Sequence, residues 1–111
     1  GRADAETARR AATTARTRAE DVRAQMAASS EFSAANVEFG KAETDFSAAR
    51  FQQSVLSYRL SEAGFRRATS LSVDRREAAL AAMKSADASI QATDERFRAI
   101  ERETAAAGGT P

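Results

Sequence analysis

Phenylalanine recurs every seven residues in the middle of this chain, at Phe32, Phe39 and Phe46. Other residues fall between and beyond the phenylalanines at steps of three and four. They are Ala35, Ala42, Ala49, Gln53, Leu56, Leu60 and Ala63. Large side chains that alternate with small ones at this spacing are typical of a helix face that interlocks with another helix. The pattern therefore predicts long α-helices packed side by side.

The composition favours helix over strand. Alanine, the best helix former, is the commonest residue, and the single proline is the last residue, Pro111. No stretch alternates polar and apolar residues with a period of two, as a half-buried strand does. A chain of 111 residues is long enough for one domain. We therefore expect a single all-α domain over residues 1–111.

Breaks in the periodicity predict three helices. The first runs from about 4 to 28, where apolar residues from Ala8 to Met26 keep strict 3–4 spacing. The second covers about 31–68 and the third about 74–106, with a turn at Thr69–Ser72 between them and a frayed tail at 107–111. The predicted architecture is a set of long antiparallel helices. They form either a three-helix bundle or a coiled-coil hairpin with an additional N-terminal helix.

The predicted core seam joins the phenylalanine row to a similar row in the third helix. Its large members are Phe32, Phe39, Phe46, Leu56, Leu60, Met83, Ile90, Phe97 and Ile100. Gln53 interrupts the seam with a polar side chain, which is typical either of a residue that sets register or of a point where the seam meets water.

The predicted second helix carries another apolar stripe on its opposite side, formed by Phe51, Val55, Tyr58 and Phe65. In a flattened three-helix arrangement the first helix covers this stripe. Alternatively, the stripe contacts another chain, because a row of exposed aromatic side chains marks an interaction site. The first helix offers few large apolar residues to cover three rings, so the sequence favours contact with another chain.

Several kinds of chemistry have no residues to support them. The chain contains no histidine and no cysteine, the usual general base, metal ligand and thiol nucleophile. Acidic and basic residues accompany each other along the chain, with a net charge of +1, whereas nucleic-acid binders concentrate positive charge. No apolar run reaches the roughly 18 residues of a membrane span. We therefore expect no catalytic, cofactor or metal site, no nucleic-acid partner, no transmembrane segment and no enzymatic activity.

Two minor signals surround the predicted turn. The run Arg66-Arg67-Ala68-Thr69 has the form that basophilic kinases accept, although a solvated charge cluster is the commoner meaning of such a run. Four arginines also flank the turn and predict either a contact with an anion or a lipid headgroup, or the commoner plain solvated turn. They are Arg66, Arg67, Arg75 and Arg76.

The same region resembles part of a known family. Phe65-Arg66-Arg67, followed by Leu71, Ser72, Glu77 and regular alanines, is similar to the turn of the α-helical hairpin in bacterial periplasmic adaptor proteins. The glycine-containing hairpin tip of that family is missing here. The resemblance covers less than a third of the chain and implies an envelope adaptor hairpin.

The sequence thus favours a non-enzymatic, self-associating structural protein, a subunit of an oligomer or filament. One alternative is a helical adaptor or scaffold module that binds the helix of another protein, including an envelope adaptor hairpin. The other is an amphipathic coat on a lipid or polymer surface. The expected partner is a second copy or another helical protein. Because the chain begins with Gly-Arg and shows no signal-peptide pattern, we expect a processed chain or an excised part of a longer one.

Overall fold

The computed structural model describes residues 1–108 of the chain, and these residues are all-α, as predicted. They form α1 (Arg2–Asp21), the single turn α2 (Ala24–Ala27), α3 (Ser29–Ser47) and the long α4 (Phe51–Gly108), and none of them lies in a strand. The chain divides into two units, Gly1–Arg76 and Glu77–Pro111.

The first break in the helices lies between Asp21 and Ser29. Arg23 adopts the left-handed conformation, with φ 57°, and Ala28 leaves the helical region, with φ −139° and ψ 52°. A left-handed residue cannot continue a right-handed helix, so α1 ends seven residues before the predicted end at 28. The predicted break at Ser29 and Ser30 coincides with the start of α3.

The second break lies where the sequence predicted an uninterrupted helix over 31–68. Ala49 adopts the left-handed conformation, with φ 59°, between the end of α3 and the start of α4. Two contacts between Arg50 and Asp45 close the turn. The backbone nitrogen of Arg50 donates to the backbone oxygen of Asp45 at 2.8 Å, and the two side chains form a salt bridge of 2.8 Å. The predicted helix is therefore wrong, and its two halves are separate helices.

The turn predicted at Thr69–Ser72 is absent, because α4 continues through it. The Thr69 hydroxyl donates to the Phe65 carbonyl one helical turn earlier, and the Ser72 hydroxyl donates to the Val22 carbonyl at 2.7 Å. Hydroxyls that find such acceptors do not compete with the helical backbone. The predicted boundaries at 68 and 74 are therefore also wrong. Of the predicted frayed tail, Ala107 and Gly108 belong to α4, and 109–111 lie outside the described residues.

The core of the Gly1–Arg76 unit combines paired aromatic rings with close contacts between small residues. Three edge-to-face pairs join α3 to the first part of α4 with centroid distances of 5.2–5.5 Å. They are Phe32–Phe65, Phe39–Tyr58 and Phe46–Phe51. Their order shows that the two segments run in opposite directions. Between the rings, the hydroxyls of Ser54 and Ser61 donate to carbonyls of α3 at 3.2 and 3.0 Å. Alanines of α1 from Ala5 to Ala19 cover the remaining side.

Candidate association surface

The largest uncovered apolar feature in the described part of the chain lies on α4 after Arg76. Every described residue of this segment is exposed except Ala99, which is half-buried. Eight of its residues keep 3–4 spacing and form what we call the apolar stripe. They are Ala79, Met83, Ala86, Ile90, Thr93, Phe97, Ile100 and Thr104. The four large members are between 56% and 67% exposed. Single exposed apolar residues are common, but a row on one helix face indicates a contact surface.

Charged residues border the apolar stripe differently on its two sides. Asp87, Asp94 and Glu101 follow one side at intervals of seven, whereas Arg96 and Glu103 lie on the other. The Gln91 amide donates to the Asp87 carboxylate at 3.2 Å. Within the stripe, the Thr93 hydroxyl donates to the Ser89 carbonyl at 3.0 Å, so this polar group keeps a partner when the stripe is covered.

The predicted interaction residues do not lie on this surface. Tyr58 and Phe65 are fully buried inside the Gly1–Arg76 unit, and Phe51 and Val55 are half-buried there. The prediction that these rings contact another chain is therefore wrong, because α3 covers them. The turn at Ala49 reverses the chain. The rings of Phe51, Tyr58 and Phe65 on α4 therefore face those of the phenylalanine row on α3.

Several predicted core residues are instead exposed. Phe32 is buried and Phe39 and Phe46 are half-buried, whereas Leu56 and Leu60 on the outer side of α4 are 63% and 60% exposed. The other exposed members of the predicted seam are Met83, Ile90, Phe97 and Ile100. For these six residues the core prediction is wrong in the described chain. Leu56 and Leu60 lie on the side of α4 that faces away from α3, and no described element covers α4 after Arg76. Gln53 is exposed as well.

A polar cluster at the edge of the core joins all three long helices. The Arg9 guanidinium donates a hydrogen bond of 2.9 Å to the Glu43 carboxylate and forms a second ion-pair contact with it at 2.8 Å. The guanidinium also lies 5.4 Å from the centre of the Phe46 ring. The Tyr58 hydroxyl donates to the same carboxylate. Burial and this hydrogen bond raise the pKa of Tyr58 above its ordinary value. A tyrosine held neutral in this way links helices and is unsuited to act as a base.

The residues of the two minor sequence signals lie within the continuous helix α4 and not at a turn. Thr69 is half-buried within α4, so it does not stand at an accessible turn as the kinase motif required. Arg66 pairs with Glu62 at 2.8 Å, and Arg75 donates to the Ala27 carbonyl. These arginines therefore contribute to the helix surface and to the end of α2. The hairpin turn implied by the resemblance to periplasmic adaptor proteins is not present.

Within residues 1–108, no group of three or more acidic side chains is arranged to hold a metal ion. No helix in that part of the chain is both long and apolar enough to cross a membrane. Comparisons with protein-family models, with curated proteins and with solved structures find no match to this chain. The apolar stripe is therefore the feature on which a functional argument rests.

Two rows of charged residues with seven-residue spacing carry structural information that the sequence-based prediction missed. Asp87, Asp94 and Glu101 form the acidic border of the apolar stripe. Arg2, Arg9 and Arg16 form the other, and their guanidinium groups lie 4.3–5.9 Å from the ring centres of Phe46 or Phe39. Cation–π contacts of this kind extend the apolar cover that the α1 alanines provide. The matching intervals in α1 and α3 were the signal that these helices pack together.

Proposed function

We propose that this chain is a non-enzymatic structural protein that associates with copies of itself through the apolar stripe. In this proposal α1, α3 and the part of α4 up to Arg76 form a three-helix bundle, and the remainder of α4 carries the contact surface. The observation that carries the proposal is the row of large apolar side chains left exposed at regular helical spacing. Within residues 1–108 no element covers that row, so its burial needs a surface outside these residues.

The area involved supports reversible association. Full burial of a large apolar side chain contributes about 1.5–3 kcal/mol. A pair of stripes contains eight such side chains, each still about 60% exposed, which gives roughly 7–14 kcal/mol. The loss of translational and rotational freedom costs about 4–15 kcal/mol. Because the two ranges overlap, the net free energy is small, and we expect association that depends on protein concentration.

Helix stability supports the same proposal. A fully solvated helix gains no stability from tertiary contacts and is marginal in water even when it is alanine-rich. The segment from Glu77 to Gly108 is solvated on nearly all sides in the single chain. Association therefore supplies the packing that this segment lacks, and we expect helicity to rise with association.

The two alternatives differ in how well the stripe suits them. An adaptor that binds another protein's helix uses the same apolar residues, and its acidic border would suit a partner with a row of basic residues. A coat on an anionic lipid surface is less well supported, since Asp87, Asp94 and Glu101 lie beside the stripe where such a helix carries lysine or arginine.

Sedimentation of matched double variants tests the proposal. Replacing Ile90 and Phe97 with aspartate places charge in the stripe, whereas replacing Leu56 and Leu60 with aspartate alters leucines that are equally exposed on another face of α4. We expect the first variant to sediment as a monomer of 11.8 kDa and the second to associate as the wild type does. A wild-type chain that stays monomeric over a hundredfold range of concentration contradicts self-association and leaves the adaptor function.

A further inference from the structure

Alanine supplies every buried side chain of α1. The buried residues are Ala5, Ala8, Ala12, Ala15 and Ala19, and each brings one methyl group to the core. By contrast, α3 and α4 bury aromatic rings against each other. A buried group of methyl size changes an equilibrium constant by about fourfold, and a buried phenylalanine contributes several times as much free energy. Each turn of α1 therefore adds less apolar burial than the contact between α3 and α4 does.

The polar contacts of α1 lie at the edge of the bundle, where water reaches them. Arg9 pairs with Glu43 at 2.8 Å, and the two side chains are 47% and 35% exposed. Arg16 lies 4.3 Å from the centre of the Phe39 ring. An exposed ion pair or cation–π contact of this kind changes an equilibrium constant by up to about fivefold. These contacts hold α1 in place, but each is weaker than a buried ring pair.

The contacts that join α3 to α4 do not involve α1. All three ring pairs connect α3 with α4. The hydroxyls of Ser54 and Ser61 also donate from α4 to the carbonyls of Ala42 and Ala35 on α3. Because the departure of α1 breaks none of these contacts, they continue to join α3 to α4 when α1 leaves.

The segment between α1 and α3 has the features of a hinge. Residues 22–28 hold only the single turn α2 between two breaks in the helix, at Arg23 and Ala28. Arg23 is left-handed, a conformation that side chains other than glycine adopt only at a cost in free energy. Changes of φ and ψ at such positions between helices are what a hinge requires. Movement of α1 about this segment also breaks the 2.7 Å hydrogen bond from Ser72 to the Val22 carbonyl.

We infer that α1 is a strap that opens as one unit about residues 22–28, while α3 and the part of α4 up to Ser72 stay paired. Opening uncovers Ala42 and Tyr58, which form one buried cluster with Ala8 and Ala12 of α1 in the closed bundle. The inference goes beyond the proposed function, since it concerns the bundle and not the apolar stripe. It holds whether or not the chain associates.

Hydrogen exchange of the full-length protein, followed by nuclear magnetic resonance at one protein concentration, tests the strap. We expect the amides of residues 8–19 to share one protection factor, about tenfold or more below that of residues 32–42 and 54–65. A shared value distinguishes the opening of the whole helix from fraying, which affects only its end. Faster exchange confined to the first turn of α1, or one protection factor for all three helices, overturns the strap.

Two variants separate opening of α1 from unfolding of the whole bundle. Ser61→Ala removes a bond between α3 and α4 that is present whether α1 is closed or open. It should raise the exchange rates of residues 32–42 and 54–65 about twofold to tenfold and leave those of residues 8–19 unchanged. Arg16→Ala removes a contact of the closed state alone, so it should raise the rates of residues 8–19 about twofold to fivefold. If Ser61→Ala accelerates residues 8–19 as much as the other two segments, then α1 opens only when the whole bundle unfolds, and the strap is overturned.

Discussion

Alanine at position 64 should destabilise the fold, although alanine favours helix over glycine. A Cβ atom at Gly64 would lie 2.9 Å from the Cβ of Ala35 and 3.4 Å from its Cα. The Cβ of Ala35 is fixed to the backbone and cannot rotate away, so α3 and α4 must separate. Separation also lengthens the 3.0 Å hydrogen bond from the Ser61 hydroxyl to the Ala35 carbonyl.

The expected change in the free energy of unfolding follows from one stabilising and two destabilising effects. The higher helix propensity of alanine contributes about 1 kcal/mol of stability. Overpacking of a close contact costs about 1–3 kcal/mol. Weakening a buried hydrogen bond costs about 1 kcal/mol more. We therefore expect Gly64→Ala to lower the free energy of unfolding by about 1–3 kcal/mol.

Gly40 provides a matched control on α3. No atom outside its own helical backbone lies within 4 Å of an added Cβ there, so Gly40→Ala should raise the free energy of unfolding by about 1 kcal/mol. The measurement is urea unfolding followed by helical circular dichroism, at one protein concentration because association adds to stability. If both variants are stabilised equally, α3 and α4 do not approach each other closely at Gly64, and the reasoning fails.

Three further predictions concern buried groups. Phe65→Ala should lower the free energy of unfolding by about 3–5 kcal/mol, whereas Phe97→Ala should change the stability of the monomer by less than about 0.5 kcal/mol in the same urea assay. Ser61→Ala should cost about 0.5–1.5 kcal/mol through the lost hydrogen bond to α3, and no loss in urea unfolding would contradict that bond. Because folding raises the pKa of Tyr58, its contribution to stability is present below the unfolded value of 10.0 and is lost as pH rises above it. Ultraviolet absorbance follows Tyr58 alone, since it is the only tyrosine and tryptophan is absent, and Tyr58→Phe should remove its share of the loss.

Helical periodicity made the secondary structure class predictable from particular residues. The rows containing Phe32 and Phe97 each carry the 3–4 spacing of a helix face, and no strand pattern competes with them. The start of α3 was also visible, because the phase of the apolar residues changes beside Ser29. These features depend on local sequence, which acts over one or two turns of helix.

The turn at Ala49 and the continuity of α4 through Thr69 were not predictable in the same way. Nothing in the residue type of Ala49 requires a left-handed conformation, which costs an alanine about 1–2 kcal/mol and persists because the ring pairs form across the turn. Ser72 belonged to the predicted turn because of its local preference, but the acceptor of its hydroxyl, the Val22 carbonyl, lies 50 residues away. Both outcomes depend on distant contacts.

The sequence by itself determined that the chain is helical and which residues share an apolar helix face, because both follow from residue spacing and intrinsic preference. Only the tertiary structure decided which apolar side is covered. Tyr58 and Ile100 belong to the same seven-residue column of α4, yet Tyr58 is fully buried and Ile100 is 56% exposed. The physical reason is that burial depends on where the chain reverses. The turn at Ala49 brings α3 back over the column up to Ser72, and no described element covers the column after it.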